Sequence, residues 1–170
     1  AYSAEAYDAT SMYWNPASMA FLQNHSAVFS HLLDQTISGM NENVSFPLWE
    51  RKGEAVAIGF TVNHVGRLGN ASLVDFRVIQ YGYDIAFAKE VVPTFSLGIG
   101  IGVRYGQTTL SNLWGISSSF GVFYSPSREI TYAVTLSGVG SGILYVSDRV
   151  TTSLSSENLP RTLQAAVAMR

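Results

Sequence analysis

The sequence predicts an all-β chain, and within that class an antiparallel transmembrane β-barrel of about eight strands, from three observations. Apolar and small residues alternate over one segment after another. Only 13% of the 170 residues are charged while 12% are aromatic, about half the charge of an ordinary soluble domain. No stretch reaches the roughly 18 consecutive apolar residues that a membrane-spanning helix needs. A chain can be this apolar without such a run if lipid-facing and lumen-facing residues alternate, which is how barrel strands are written.

The N-terminal piece, residues 1–24, stands apart from that pattern. Within "DATSMYWNPASMAFL" the pair Asn15-Pro16 reads as a helix N-cap followed by proline at the first helical position. A short helix from Pro16 would set Met19 and Leu22 on one side. Residues 25–170 then carry the strands. Two weaker segments, His25 to Leu32 and Asn43 to Trp49, come first. From Glu54 to His64 the outward set is Val56, Ile58, Phe60 and Val62, against Ala55, Ala57, Gly59, Thr61 and Asn63. From Asp75 to Ala88 it is Ile79, Tyr81, Tyr83, Ile85 and Phe87, against Val78, Gln80, Gly82, Asp84 and Ala86.

The segment "TFSLGIGIGVRYG" tests the period most sharply. Its glycines Gly98, Gly100 and Gly102 alternate with Ile99 and Ile101. A dinucleotide-binding loop needs its glycines at a strand-to-helix turn with a different spacing. An unbroken period of two instead makes a strand with one bulky face and one small face. Ile116 to Tyr124 presents Phe120, Val122 and Tyr124, with Ser119, Gly121 and a less regular Phe123 opposite. Ile130 to Ser137 sets Tyr132, Val134 and Leu136 against Thr131, Ala133 and Thr135, and Thr162 to Arg170 alternates in the same way.

The connections are unequal. "ERKGE", "KEVVPT" and "SPSRE" are short and charged, whereas "QTISGMNEN", "GRLGNASL", "QTTLSNLWG" and the segment Gly138 to Pro160 are long. Short turns at one end and long loops at the other are the habit of outer-membrane barrels. A soluble β-sandwich, the competing fold, would place Lys, Glu and Arg on its solvent face rather than Gly, Ala and Ser. The outward residues Phe60, Ile99, Ile101, Val122 and Val134 are therefore expected to face lipid, with tyrosines at the margins. Gly98, Gly100, Gly102 and Gly121 form the small lumen face, and Gln80, Asp84 and Arg104 a polar cluster within it.

Enzymatic, metal and nucleic-acid chemistry find little to build on. His25, His31 and His64 fall in different strand segments without metal-site spacing, and there are no cysteines. The net charge of −2 gives no basic surface for nucleic acid. The expectation is a protein that is not an enzyme, without catalytic residues, cofactor or metal.

"AYSAEAYDATSMYWNPASMAF" resembles the opening of FadL-like outer-membrane barrels and, more closely, of the PorV/PorQ group. The matching residues include Asp8, Trp14, Asn15 and Pro16, although Asp8 stands alone where many relatives carry two acidic residues. "VSFPLWERKGEAVAIGF", "FGVFYSPSREITYAVTLSGVG" and "LPRTLQAAVAMR" are similar to the strand, turn and closing patterns of the same group. The resemblance implies a barrel in the bacterial outer membrane with the N-terminal helix tucked inside as a plug. It implies one of two activities. The PorV/PorQ branch binds exported partners in type IX-like protein secretion, and the FadL branch passes hydrophobic small molecules. Partners would be outer-membrane lipid and other secretion or surface proteins, with a hydrophobic ligand in the second branch.

Lumen width supplies the last expectation. A closed eight-stranded barrel is filled by its own side chains. The small inward residues here would leave voids and no room for a helix. The eight strands are thus expected to form roughly half of a larger barrel, with an unpaired edge at the last strand.

Overall fold

The computed structural model describes residues 4, 8–22, 26–34, 39–65, 78–108, 112–127, 129–139, 142–146, 156–158 and 161–169. Alternation does produce strands: β1 (Val28–Asp34), β2 (Gly39–Arg51), β3 (Glu54–Val65), β4 (Val78–Val92), β5 (Phe95–Thr108), β6 (Asn112–Tyr124), β7 (Ile130–Ser137), β8 (Gly142–Val146), β9 (Ser156–Asn158) and β10 (Thr162–Met169). Eight of them follow one antiparallel path, β1-β2-β3-β4-β5-β6-β7-β10, curled into a half-barrel. Short β8 pairs the upper part of β6 and carries β9 on its other side. All ten belong to one sheet, so among the described residues no second sheet makes a sandwich. Among the described residues the eight do not close: β1 pairs β2 and β10 pairs β7, which leaves two edges.

Several boundaries differ from the sequence reading. β4 runs on to Val92, so the link "KEVVPT" shrinks to Pro93 and Thr94, and β5 and β6 extend into "QTTLSNLWG" until only residues 109–111 separate them. Polar residues misled the reading at these ends because they pair across the ladder. Lys89, for example, meets Glu54 at 2.9 Å. Within the segment read as one long loop, Gly138 to Pro160, lie β8 and β9, while its tip, residues 147–155, falls outside the described residues. The loop after His64 and His25 also fall outside them.

The turns show their chemistry. Gly53 adopts φ 76°, which a residue without Cβ takes at no cost, and Glu90 N donates to its carbonyl at 2.6 Å. Thr94 sits at φ 75°, unusual for a β-branched residue. Its N–H is held by the Glu90 carboxylate at 3.2 Å, and its carbonyl by Ser125 N at 2.8 Å. Pro47 lies where the β2–β3 register shifts, the bulge position that a residue lacking N–H tolerates.

The N-terminal segment is helical in two short pieces, α1 (Ser11–Trp14) and a 3-10 helix (Pro16–Phe21), and lies across the concave face in contact with β3 to β6. The core sits between this segment and the sheet. Met12, Met19, Ala20 and Leu22 pack on Ala55, Ala57, Ala86 and Ala88. Ala4 and Ala17 pack with Phe123, Ala133 and Ala168. Each fully buried Met or Leu side chain contributes about 1.5–3 kcal/mol, and alanines opposite supply the space.

Candidate functional site

The concave face is built in layers by the strand register. Beginning near the short turns, one layer is Ala55, Ala88, Gly98, Gly121 and Thr135; the next is Ala57, Ala86, Gly100, Ser119 and Ser137. Then come Ser45, Gly59, Asp84, Gly102 and Ser117, followed by Asn43, Thr61, Gly82, Arg104 and Gly115. The layer nearest the long connections holds Asn41, Asn63, Gln80, Gly106 and Leu113. Small apolar residues thus give way to amides and charges along the strands.

The first layers receive the N-terminal segment. Asn15 accepts from Ala17 N at 3.0 Å through its side-chain oxygen, capping the 3-10 helix, and its amide donates to the Val122 carbonyl of β6 at 3.0 Å. Ser18 Oγ donates to the Asn15 carbonyl at 2.9 Å, and Ser96 Oγ to the Ala17 carbonyl at 2.7 Å. Asn15, Ala17, Ser18 and Ser96 are all buried. A Cβ at Gly98 would strike the backbone of Pro16 and Ala17, and one at Gly121 would strike Asn15 Oδ1. These two glycines make a notch for the segment, and close approach is what requires them. Gly100 and Gly102 serve other neighbours: a Cβ there would meet Ser119 Oγ at 2.5 Å, or Asp84 Oδ1 and Arg104 Nη1. Phe123, which broke the inward pattern, is buried against the Phe21 ring with centroids 5.3 Å apart.

Asp8 caps the chain before α1, accepting from Thr10 N at 2.8 Å and from the Thr10 hydroxyl. Trp14 is about half exposed on the far side of the segment. Tyr13 lies over Gly59, where a Cβ would run into its hydroxyl. That hydroxyl is buried against Thr61 and Asn43 of the wall. Burial, and then the Asp84 charge, raise its pKa above the ordinary tyrosine value, while hydrogen bonding with Thr61 and Asn43 works to lower it.

The three residues read as one polar cluster divide in two. Arg104 Nη2 meets Asp84 Oδ1 at 2.8 Å, whereas Gln80 accepts from Asn63 at 3.3 Å. Asn63 in turn accepts from Asn41, and Asn43 donates to Thr61 at 3.4 Å. This amide ladder was missed because only the register brings residues 41, 63 and 80 to one level. Asp84 Oδ2 is buried with no partner. Beside it a cavity of about 150 Å³ is lined by Tyr13, Asp84, Arg104, Ser117 and Ser119 among others.

At the cavity's rim the wall changes partner. β6 pairs β7 from Ser119 onward and β8 from Asn112 to Ile116. Gly138 turns the chain there at φ 76°, its N–H donating to the Ser118 carbonyl at 2.9 Å, while Ser118 Oγ donates to the Val139 carbonyl.

The convex face holds Phe60, Ile99, Ile101, Val122 and Val134, each about 36–48% exposed. Two aromatic rows flank them. Tyr81, Tyr105 and Trp114 stack toward the long connections, with centroids 6.4 and 4.7 Å apart, and Phe95, Tyr124 and Tyr132 toward the short turns, at 6.5 and 6.2 Å. His31 bonds Glu42 at 3.2 Å near the upper edge. Among the described residues no three His, Cys, Asp or Glu side chains come together as a metal site, and no helix is long and apolar enough to cross a membrane. Comparison with protein-family models, with curated proteins and with solved structures gave no match.

Proposed function

We propose that the chain forms part of the wall of a bacterial outer-membrane β-barrel, with its convex face in lipid and the N-terminal segment as an internal plug. The spacing of the aromatic rows carries this reading. Along β5 they are ten residues apart, Phe95 to Tyr105, which is about 33 Å of strand. A strand tilt of about 40° makes that about 25 Å of height, the thickness of an outer-membrane apolar band. Between the rows β5 presents Leu97, Ile99, Ile101 and Val103, while the charges of the Lys89–Glu54 pair, and of Arg51 opposite Glu54 in register, lie one layer from the lower row, where long basic stems can snorkel. Further strands would pair the two edges, since an open edge has no place in hydrocarbon.

Within that frame the preferred activity is of the PorV/PorQ type: binding exported proteins during type IX-like secretion. The support is the sequence resemblance, together with a plug docked toward the short turns that leaves the long connections available for partners. The break in the wall at Gly138 favours a second reading, a FadL-like transporter of hydrophobic molecules. The polar lining beside that break suits such cargo poorly. Purification of the protein from membranes in detergent separates the two. A co-purifying exported protein supports the first reading, and bound fatty acid or hydrocarbon without a protein partner supports the second. Ile99→Arg should destabilise the refolded protein in bilayers by about 2–4 kcal/mol; an unchanged denaturation midpoint would remove the lipid-facing assignment.

A further inference from the structure

We propose that the convex face carries a groove for one anionic phospholipid, running along β3 from Glu54 to Phe60, with the lipid phosphate on Arg51. The inference rests on the lipid-facing reading of that face and names one lipid within it. Register sets Arg51, Glu54 and Lys89 side by side on β2, β3 and β4, on the same face as Val56 and Phe87. Lys89 is held by Glu54 at 2.9 Å, whereas Arg51, exposed on the other flank, makes no ion pair among the described residues. Two cations against one anion leave the patch an excess positive charge. At the other margin of the same strands, level with Tyr81 and Tyr105, the outward charge is the acid Glu42.

Next to these charges the surface is shaped. One layer up, Trp49 and Phe87 are exposed, and Val56 lies half-buried between them. The two flanking strands are about 10 Å apart, so the smaller side chain leaves a trough the width of one acyl chain. Ile58, also half-buried, continues its floor. Phe60, exposed and edge-on to the Tyr83 ring with centroids 5.5 Å apart, ends it. Glu54 to Phe60 is about 20 Å of strand. Chemistry selects the headgroup too. An unpaired guanidinium offers a planar fork of donors to two phosphate oxygens. A phosphodiester with an otherwise neutral head, as in phosphatidylglycerol, brings the negative charge that the patch lacks. A choline head cancels its own phosphate, so the patch gains less from it.

Trp49 can report the groove once Trp14→Phe and Trp114→Phe make it the sole tryptophan. The full chain is refolded in phosphatidylcholine vesicles that contain the same small fraction of either brominated phosphatidylcholine or brominated phosphatidylglycerol. Both should quench Trp49, with phosphatidylglycerol preferred about fivefold at low salt. Arg51→Gln should abolish the preference and keep the quenching by brominated phosphatidylcholine. Native mass spectrometry of the wild-type chain and of Arg51→Gln, each released from mixed vesicles, reads the same preference with the tryptophans untouched, should the double variant fail to refold. Equal quenching by the two lipids, or a preference that survives Arg51→Gln, would overturn the groove and leave the lipid-facing reading standing. No quenching by either lipid would remove that reading, and the groove with it.

Discussion

The two ends of the concave face are made by the same strands, yet they solve opposite problems. Toward the short turns, Ala55, Ala88, Gly98 and Gly121 remove side chains so that a second piece of chain can approach the sheet. The incoming segment is tied down there by hydrogen bonds of Asn15, Ser18 and Ser96. Toward the long connections, glycines Gly82 and Gly102 make room for side chains of the wall itself, Arg104 and Asp84. There hydrogen-bonding capacity is left over. Among the described residues, one end packs a second piece of chain, while at the other Asp84 Oδ2 is buried without a partner. A run of glycines therefore has no single meaning. What each one faces decides whether it is a packing device or a floor.

Substitutions should separate the two ends. Gly98→Val places carbons against the Pro16–Ala17 backbone, which cannot yield as a side chain can, and should cost about 3 kcal/mol in denaturant unfolding. Asn15→Ala removes the cap of the 3-10 helix and the bond to Val122, for a loss of about 2 kcal/mol. Equal effects from Gly98→Val and its counterpart Gly100→Val would erase the distinction. Gly100→Ala should be milder, about 0.5 kcal/mol, because its nearest obstacle is the Ser119 hydroxyl, which can rotate.

The smallest effect concerns pH. A tyrosine pKa raised on folding means stability that is present below the ordinary value of 10.0 and lost as pH climbs through the raised one. Tyr13→Phe should flatten that alkaline loss. An unchanged alkaline limb would place the sensitivity elsewhere.

Much of this was legible from residue types. The period of two located β3, β5 and β7 and sorted their faces, because each strand has one bulky and one small side. The Asn15-Pro16 pair announced the helix start, since capping is a local interaction. Other features depend on partners distant in sequence. The period placed Phe123 inward, but why a ring stands among small residues there depends on its contact with the Phe21 ring. The amide ladder exists only in register, and Gln80 joined it instead of the Asp84–Arg104 pair. α1 is four residues long without a side-chain cap, and β8 is five residues beside a glycine turn, so neither wrote a pattern long enough to read.

The central claim is that the convex face lies in lipid and the concave face does not. The chain has no cysteine, so a single introduced cysteine can carry a nitroxide label at any chosen site. With the refolded protein in lipid vesicles, collision rates with oxygen and with a water-soluble nickel chelate report the surroundings of each label. Labels at Ile99, Ile101, Phe120 and Val122 should be oxygen-rich and nickel-poor, most strongly at Ile99 and Ile101, while labels at Arg104, Ser117 and Ser119 should show the reverse. Nickel accessibility that is equal on both faces, or higher on the convex one, would contradict the account.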